Sequence, residues 1–392
     1  MRLKYFAKTH KYGKLIKVTI SKRCRIMISI SNLKEARDFV RGATILGTGG
    51  GGDPKEGLTL LEDVLSKGKS INLINLEEVD RDSVLVVPYY VGTIAPGAKT
   101  KKPIKIREPI KTAFQEMERI LGRKISGVVA CELGGFNASI ALYMSAYMGL
   151  PAADGDLLGR AAPELHQCTV HVFGIPMYPS VIISETGNRV VVYEYSDIDD
   201  YESIARYLSV LSGKFVAVVD TPLKVEDAEK ALIKGSMSLC LKLGKAVREA
   251  RERGADPVSE ILRILNAWKI FEGVVQSYEY RDEKGFLRGE AVVKGVEKWE
   301  GKRLKTWIMN EHLMAWIDGK VVVMPPDLIM FVNDEGEGIT NSELSVGMKV
   351  NVIAAKAPEV WRTENGLKFF GPRRFGFDYD YIPVEELVGD QV

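Results

Sequence analysis

The chain has 392 residues, of which 46% are hydrophobic and 27% charged, and its formal net charge is +2. Such values are typical of a folded protein long enough for two domains, and they exclude a disordered or collagen-like chain. No run approaches about 18 uninterrupted apolar residues, so we expect no membrane-spanning helix. Scarce glutamine beside abundant Lys, Glu, Ile and Val indicates a heat-adapted, thermophilic protein.

The positive charge belongs to the N-terminus. Residues 1–26 carry nine Lys or Arg and no Asp or Glu, and the rest of the chain has 45 basic against 52 acidic residues. We therefore expect no nucleic-acid-binding face on the body of the protein. Residues 1–26 are interpreted as a basic extension or a misassigned start, with a nucleic-acid or membrane arm as the alternative. They lack the apolar core of a signal peptide, and four cysteines without a CxxC pair indicate a reducing cytoplasm.

A glycine-rich run lies between the first two predicted helices. Apolar spacing predicts helices over 33–43 and 54–67, and residues 47–54 have the sequence GTGGGGDP. Asp53 is the predicted N-cap of the second helix, with Pro54 at its first position. Glycine lets the backbone approach a ligand, and free N–H groups at a helix N-terminus attract anions. The residues predicted to bind an anionic small-molecule substrate here are Gly49, Gly50, Gly51, Gly52 and Asp53.

The same run matches the dinucleotide-binding pattern G-x-G-x-x-G at Gly47, Gly49 and Gly52. In that motif a strand precedes the glycines, and the pyrophosphate sits at the start of the following helix. Here a predicted helix precedes the run, and Asp53 places a carboxylate where the pyrophosphate would sit. An NAD(P)-dependent oxidoreductase is therefore an alternative function and not the leading one.

A second glycine-rich turn follows a buried strand. The pattern predicts strands over 71–76 and 84–88, a loop over 89–109, a helix over 110–121, a strand over 125–130 and a helix over 138–148. A strand, a turn and a helix N-terminus in succession are the expected context of a ligand site. The predicted site residues in this turn are Cys131 as a nucleophile activated by the helix N-terminus, Glu132 as a general base, and Gly134, Gly135 and the predicted N-cap Asn137 as substrate-binding residues.

A polar stretch follows at residues 151–166. Asp154 and Asp156 stand two residues apart, so in an extended segment both face one side. Close carboxylates hold a hard cation or act as an acid/base pair, which makes both residues catalytic candidates. The alternative is a structural Asp/Gly turn. Arg160 is predicted to orient the substrate, and Glu164 is predicted to bind it.

Residues 166–171 contain ligand types suited to zinc or iron, in the pattern His-x-Cys-x-x-His. If residues 166–173 form a strand, however, His166 and Cys168 share one face and His171 points to the other. A divalent cation is therefore left open as a cofactor, with His166 and Cys168 as candidate ligands. Ordinary histidines beside a buried thiol are the alternative.

The remaining elements complete two domains. Strands are predicted over 169–174, 179–184, 190–195 and 215–220, and helices over 201–211, 224–253 and 257–268. From residue 271 the period changes to two, which predicts an all-β, barrel-like module with turns at 318–319 and 365–366. Within the predicted strand 305–316, the polar side chains of Asn310 and Glu311 require a partner or a ligand, so both are substrate-binding candidates.

The predicted fold class is an α/β layered N-terminal domain joined by helices to a C-terminal all-β, barrel-like domain. The predicted boundaries are 1–30 for the extension, 31–220 for the α/β domain, 221–270 for the helical segment and 271–388 for the β domain.

Several ordered segments together resemble a known family. They are GTGGGGDP at 47–54, ELGGFN at 132–137, DGDLLGRAAPEL at 154–165, NEHLMAWIDG at 310–319, PPDLI at 325–329 and GPRRFGFDYDYIP at 371–383. This combination resembles the hydantoinase/oxoprolinase-associated family described as S-methyl thiohydantoin desulfurase-like, and the similarity covers residues 31–388. The resemblance implies the same two-domain fold and chemistry on five-membered cyclic ureides.

The leading hypothesis is a cytoplasmic hydrolase that removes sulfur from a thiohydantoin-like ring or acts on a related ring amide. Water or a thiolate would attack the ring carbon, with Glu132, Asp154 or Asp156 as the general base. A non-catalytic subunit of a hydantoinase-like complex is a further alternative. The predicted partners are therefore a small molecule, with a second copy of the chain or a hydantoinase-like protein left open.

Overall fold

The computed structural model describes residues 28–100 and 102–389. The interpretation of residues 1–26 as an extension lies outside this range. Residues 28–30, which we had assigned to that extension, form the first strand and pair with the strand at 71–74 of the N-terminal sheet. Within the described residues, no helix is both long enough and apolar enough to cross a membrane.

The N-terminal part is built on one mixed sheet. Its strands, β1 to β9 in chain order, are Ile28–Ile30, Ile71–Ile74, Val84–Gly92, Gly127–Ala130, Ala152–Asp156, Ser180–Ile183, Arg189–Val192, Phe215–Lys224 and Ile233–Lys234. Their spatial order is β1-β2-β5-β4-β3-β8-β6-β7, with β9 paired to β5. The central strands β2, β5, β4 and β3 are parallel, so their carboxyl ends meet at one edge of the sheet.

Helices cover this sheet and lead to the second domain. They are, as α1 to α9, Leu33–Leu46, Pro54–Ser66, Pro109–Leu121, Asn137–Met148, Thr169–Val172, Ile198–Ser212, Val225–Ala231, Ser236–Glu252 and Pro257–Leu265. Helix α4 is apolar on all sides, and all but its last two residues are buried, as expected of a helix enclosed by the core. The predicted helices near 33–43, 54–67, 110–121 and 138–148 are confirmed.

The C-terminal part is one antiparallel sheet. Its strands, β10 to β16, are Trp268–Glu283, Phe286–Gly295, Arg303–Met309, Glu311–Ile317, Lys320–Val323, Leu328–Val332 and Lys349–Ala355, and they are followed by helices α10, Glu364–Phe370, and α11, Val384–Val388. The strand order β14-β13-β12-β11-β10-β16-β15 leaves the two outer strands unpaired with each other. The module is therefore a curled half-barrel, which agrees with the predicted all-β, barrel-like domain except that the sheet does not close on itself. The domain boundaries given above stay a prediction.

Several local predictions are wrong. Residues 169–174 contain the short helix α5 instead of a strand, because tertiary packing overrides the β-branched pattern. Residues 224–253 are not one helix, since Gly235, with φ of 77°, separates β9 from α8. Asn365-Gly366 lies inside α10 and does not connect strands.

The predicted strand 305–316 is instead a hairpin. Strands β12 and β13 pair directly on either side of Asn310, which has φ of 56°. An asparagine tolerates this left-handed conformation better than most residues. The tight turn brings Glu311 to the start of β13.

Candidate functional site

A cavity lies where the carboxyl ends of the parallel strands meet the C-terminal domain. Its volume is about 60 Å³, counted over the positions that the centre of a water molecule can take. Counted in the same way, one water needs about 10–15 Å³. The cavity therefore has room for roughly four waters or one small ring. Its lining includes polar and sulfur-containing side chains from both domains: Tyr89 of β3, Cys131 and Glu132 after β4, Glu164 and Cys168 after β5, Met177, Arg206 of α6, and Asn310 and Glu311 at the β12–β13 turn.

Glu132 is a buried carboxyl group in the cavity wall, with 8% of its surface exposed. Its Oε1 accepts a hydrogen bond from Asn137 Nδ2 at 2.8 Å, and its Oε2 accepts one from the Ala162 N–H at 3.1 Å. Burial raises the pKa of Glu132 to about 7, although these two hydrogen bonds act in the opposite direction. A carboxyl group that titrates near neutrality is suited to general acid/base catalysis.

Asn137 holds Glu132 in place instead of capping α4. Its Oδ1 accepts a hydrogen bond from the Tyr90 N–H, and its Nδ2 donates to the Tyr90 carbonyl and to Glu132. The N-cap position belongs to Phe136 and has no side-chain hydrogen bond. The predicted capping role of Asn137 is therefore wrong, and its side chain links β3 to the Glu132 carboxylate.

Glu311 enters the same cavity from the C-terminal domain and is 2% exposed. The Gly51 N–H donates a hydrogen bond to its carboxylate, while its Oε2 has no hydrogen-bond partner among the described residues. Burial and the nearby charge of Glu132 raise the pKa of Glu311 well above its usual range. The raised pKa favours the protonated form of Glu311, which can donate a hydrogen bond to a ligand.

The glycine run brings three chain segments into close contact. It is buried and is not a surface turn. A Cβ added to Gly51 would lie 2.5 Å from the Gly134 Cα, and one added to Gly50 would lie 1.7 Å from Glu311 Oε1. Helix α1 precedes the run, and the Glu311 carboxylate covers it. This arrangement does not match a dinucleotide-binding loop, in which the backbone faces a pyrophosphate.

The other predicted residues of the two glycine turns contribute structure. The Gly49 carbonyl accepts a hydrogen bond from the Asn341 N–H at 2.7 Å, and a Cβ on Gly135 would lie 2.6 Å from Pro54 Cβ. Asp53 caps α2 by accepting a hydrogen bond from the Lys55 N–H, as predicted. Of the run, Gly51 and Gly52 are the residues that line the cavity.

Arg206 is a cavity residue that the sequence analysis missed. Its guanidinium donates to Glu202 Oε1 and to the carbonyls of Gly92, Gly285 and Pro163. These acceptors lie in both domains, and the positive charge of Arg206 acts against the raised pKa of Glu132. The available signal was a charged pair spaced i, i+4 on the inward face of a helix, where apolar residues are expected.

The pair Asp154 and Asp156 lies outside the cavity lining. Asp156 is fully buried, and its carboxylate accepts hydrogen bonds from the N–H groups of Leu158 and Gly159 and from Ser236 Oγ. Asp154 accepts a hydrogen bond from the Ser238 N–H at the start of α8. Both carboxylates therefore satisfy backbone groups, and the structural alternative of an Asp/Gly turn describes them better than an acid/base pair.

Arg160 connects the domains from within the core. It is fully buried, and its donors bind Thr48 Oγ1 and the carbonyls of Ala161, Pro326, Asp327 and His312. These bonds use the five N–H groups of a guanidinium. Arg160 is therefore placed to hold the second domain against the first, and it does not line the cavity that Glu132 and Glu311 share.

The proposed metal ligands do not converge. His166 Nε2 lies 2.8 Å from Asp199 Oδ1, while Cys168 lines the cavity. Across residues 28–100 and 102–389, no group of three or more His, Cys, Asp or Glu side chains is arranged to hold a metal ion. Glu164 lines the cavity and accepts a hydrogen bond from Arg374 at 3.3 Å.

Cys131 lines the cavity, but the predicted activation of its thiol is wrong. Burial raises the pKa of Cys131 well above its usual range, and the neighbouring Cys168 adds to this effect. Helix α4 begins at Asn137, so Cys131 is not part of its first turn, where the effect of a helix N-terminus is concentrated. Both thiols in the cavity wall are therefore neutral.

Comparison with known proteins supports the family resemblance that the sequence motifs indicate. The model described as "S-Me-THD-like, N-terminal domain" matches residues 34–194, and that described as "S-Me-THD-like, C-terminal domain" matches residues 196–384. A crystal structure of a protein from Chromobacterium violaceum shares the fold, with a TM-score of 0.74, 22% sequence identity, and coverage of 91% of this chain and 100% of that chain. No curated protein matches the chain. Since the two family models together span nearly all of the described residues, the protein belongs to the S-Me-THD-like family.

Proposed function

We propose that the protein hydrolyses a hydantoin- or thiohydantoin-like ring and releases the exocyclic sulfur of the thiohydantoin. The observation that carries this proposal is the pair of buried carboxyl groups, Glu132 and Glu311, which the two domains bring into one small cavity. Membership of the S-Me-THD-like family supports a thiohydantoin-related role. The cavity also has room for a ring of this size.

The two carboxyl groups have different roles in this proposal. Glu132, whose pKa is about 7, takes a proton from water as the water oxygen attacks the ring carbon that carries sulfur. The same residue then returns this proton to the departing sulfur. The hydroxyl group left on the ring carbon releases its own proton as the carbonyl forms and the C–S bond breaks, and the hydrosulfide takes up that second proton, so thiohydantoin and water give hydantoin and hydrogen sulfide. Glu311, which is protonated, donates a hydrogen bond to the polar edge of the ring.

Water is the proposed nucleophile because the thiols of the cavity are neutral. Burial raises the pKa of Cys131, which removes the thiolate that a covalent mechanism needs. Arg206 adds positive charge to the cavity wall without leaving the hydrogen bonds that fix it. An anionic substituent on the substrate would be attracted by this charge.

The direct test is turnover of 2-thiohydantoin by the purified full-length protein. We expect release of sulfide, measured colorimetrically, together with loss of the thiocarbonyl absorbance. The assay is run under reducing conditions, with and without added divalent cations, so that a requirement of turnover for a cation is detected. Absence of turnover for both thiohydantoin and hydantoin under every condition, whether or not they bind, would overturn the proposal.

A role as a non-catalytic subunit is the competing hypothesis. It predicts that the protein gains a function only with a hydantoinase-like partner and that Glu132→Gln has no effect on the assembled complex. The buried carboxyl pair favours catalysis, because an uncompensated buried acid destabilises a fold and persists where function requires it.

A further inference from the structure

The cavity has one end that is rich in sulfur. Cys131, Cys168 and Met177 all line it, and they belong to or pack against the same apolar cluster, which also contains Tyr89. Cys168 and Met177 are 2% and 0% exposed. The polar groups of Glu311 and Arg206 line the same cavity. The lining therefore combines polar groups with a sulfur-rich, apolar part, which we call the soft end.

Thiols and thioethers differ from hydroxyl groups in what they can bind. They are polarisable, and the S–H group is only a weak hydrogen-bond donor. A carbonyl oxygen buried against them loses its hydrogen bonds to water and gains little in return. A thiocarbonyl sulfur needs weaker hydrogen bonds and gains dispersion contacts with polarisable neighbours. The soft end is thus matched to sulfur and mismatched to oxygen.

The order of residues along the chain connects this end to the catalytic base. Cys131 immediately precedes Glu132 in the turn after β4. A ring sulfur at the soft end therefore lies on the side of the cavity where Glu132 is held by Asn137 and the Ala162 N–H. The polar groups of the lining, among them Glu311 and Arg206, are then available to the ring nitrogen and carbonyl.

We infer that Cys131, Cys168 and Met177 form a subsite for the exocyclic sulfur of the substrate, which gives the protein its preference for thiohydantoin over hydantoin. This inference rests on the proposed function for the identity of the ring, while its test measures binding and not turnover. It assigns the two buried cysteines to specificity instead of nucleophilic catalysis. It also predicts that hydantoin, the oxygen-containing product, leaves the site readily.

The test compares two probes in equilibrium binding. The dissociation constants of 2-thiohydantoin and hydantoin are measured by calorimetry in a Glu132→Gln background, which prevents turnover. Cys131→Ser and Cys168→Ser each replace a weak donor by a strong one of similar shape. We expect each to reduce the preference for thiohydantoin by about tenfold, because hydantoin binding improves and thiohydantoin binding weakens.

Cys240→Ser is the matched control. Cys240 is buried like Cys168, but it lies in α8 and is not part of the cavity lining, so its replacement is expected to leave the preference unchanged. An unchanged preference in both cavity variants, with folding intact, overturns the sulfur subsite even if sulfide release is observed. A cysteine-dependent preference without any sulfide release by the wild type supports the subsite and overturns the hydrolase proposal.

Discussion

Glu132 and Asp154 are acidic residues near the ends of neighbouring strands, yet their surroundings differ. Glu132 lines the cavity, while Asp154 binds the N-terminus of α8. We expect Glu132→Gln to lower kcat by at least about 100-fold, the usual contribution of a general base. Asp154→Asn is the comparison and should keep kcat within a few-fold. Sulfide release measured for both, with circular dichroism to check folding, decides between them. Equal losses in the two variants would contradict the assignment of the base.

The pH dependence of kcat/KM is a second test of the role of Glu132. Because Glu132 acts as a base with a pKa of about 7, kcat/KM should rise with pH and level off above neutrality. The hydrogen bond from Asn137 lowers this pKa, so Asn137→Ala should move the rising limb to higher pH. A pH series for both proteins measures the shift. A rising limb that stays in place, or moves to lower pH, would show that another group controls the rate.

At the scale of elements, the glycine run and the β12–β13 turn depend on each other. A methyl group on Gly50 would overlap the Glu311 side chain, and Gly50 does not have a positive φ. Gly50→Ala therefore displaces Glu311 without straining its own backbone. We expect it to reduce activity as much as Glu311→Gln does, while Gly389→Ala, near the C-terminus, leaves activity unchanged. Steady-state kinetics of the three variants provide the check, and near-wild-type activity of Gly50→Ala would contradict this view of the loop.

The sequence predicted the elements better than it predicted their contacts. Periodicity located α1, α2, α3 and α4 within a few residues, because each has a clear apolar face or apolar core and a recognisable start. Periodicity could not show that the Asp156 carboxylate accepts hydrogen bonds from the N–H groups of Leu158 and Gly159. Residue spacing indicates the face on which a side chain lies and not the groups that it contacts. Arg206 was missed because an Arg four residues after a Glu is the ordinary pattern of an exposed helical ion pair.

At the scale of the whole molecule, buried carboxyl groups should make stability depend on pH. Burial raises the pKa of Asp220, which accepts hydrogen bonds from Tyr89 and Tyr201, to about 7 from an ordinary 3.8. Between these pH values the folded state holds a proton that the unfolded state releases. The stabilisation from Asp220 is therefore present at low pH and is lost as pH rises through about 7.

Calorimetry from pH 4 to 8 measures this effect, with roughly one-unit steps across the window that the two pKa values define. The wild type is expected to lose stability as pH rises, and Asp220→Asn should show a flatter dependence because the titrating group is gone. Asp156, whose pKa burial also raises to about 7, contributes with the same sign and remains in the variant. An identical slope in both proteins would show that Asp220 does not titrate in this range.

The position of β8 limits where the chains of two relatives can be joined in a chimera. The two family models meet at residue 195, yet β8, which follows that point, lies between β3 and β6 of the N-terminal sheet. Helix α6 also follows residue 195, and its Arg206 side chain donates a hydrogen bond to the Pro163 carbonyl of the first half. A chimera joined at that point from two distant relatives would combine an incomplete sheet with a mismatched cavity wall. We therefore expect a chimera of two relatives to fold only where the crossover lies beyond β8.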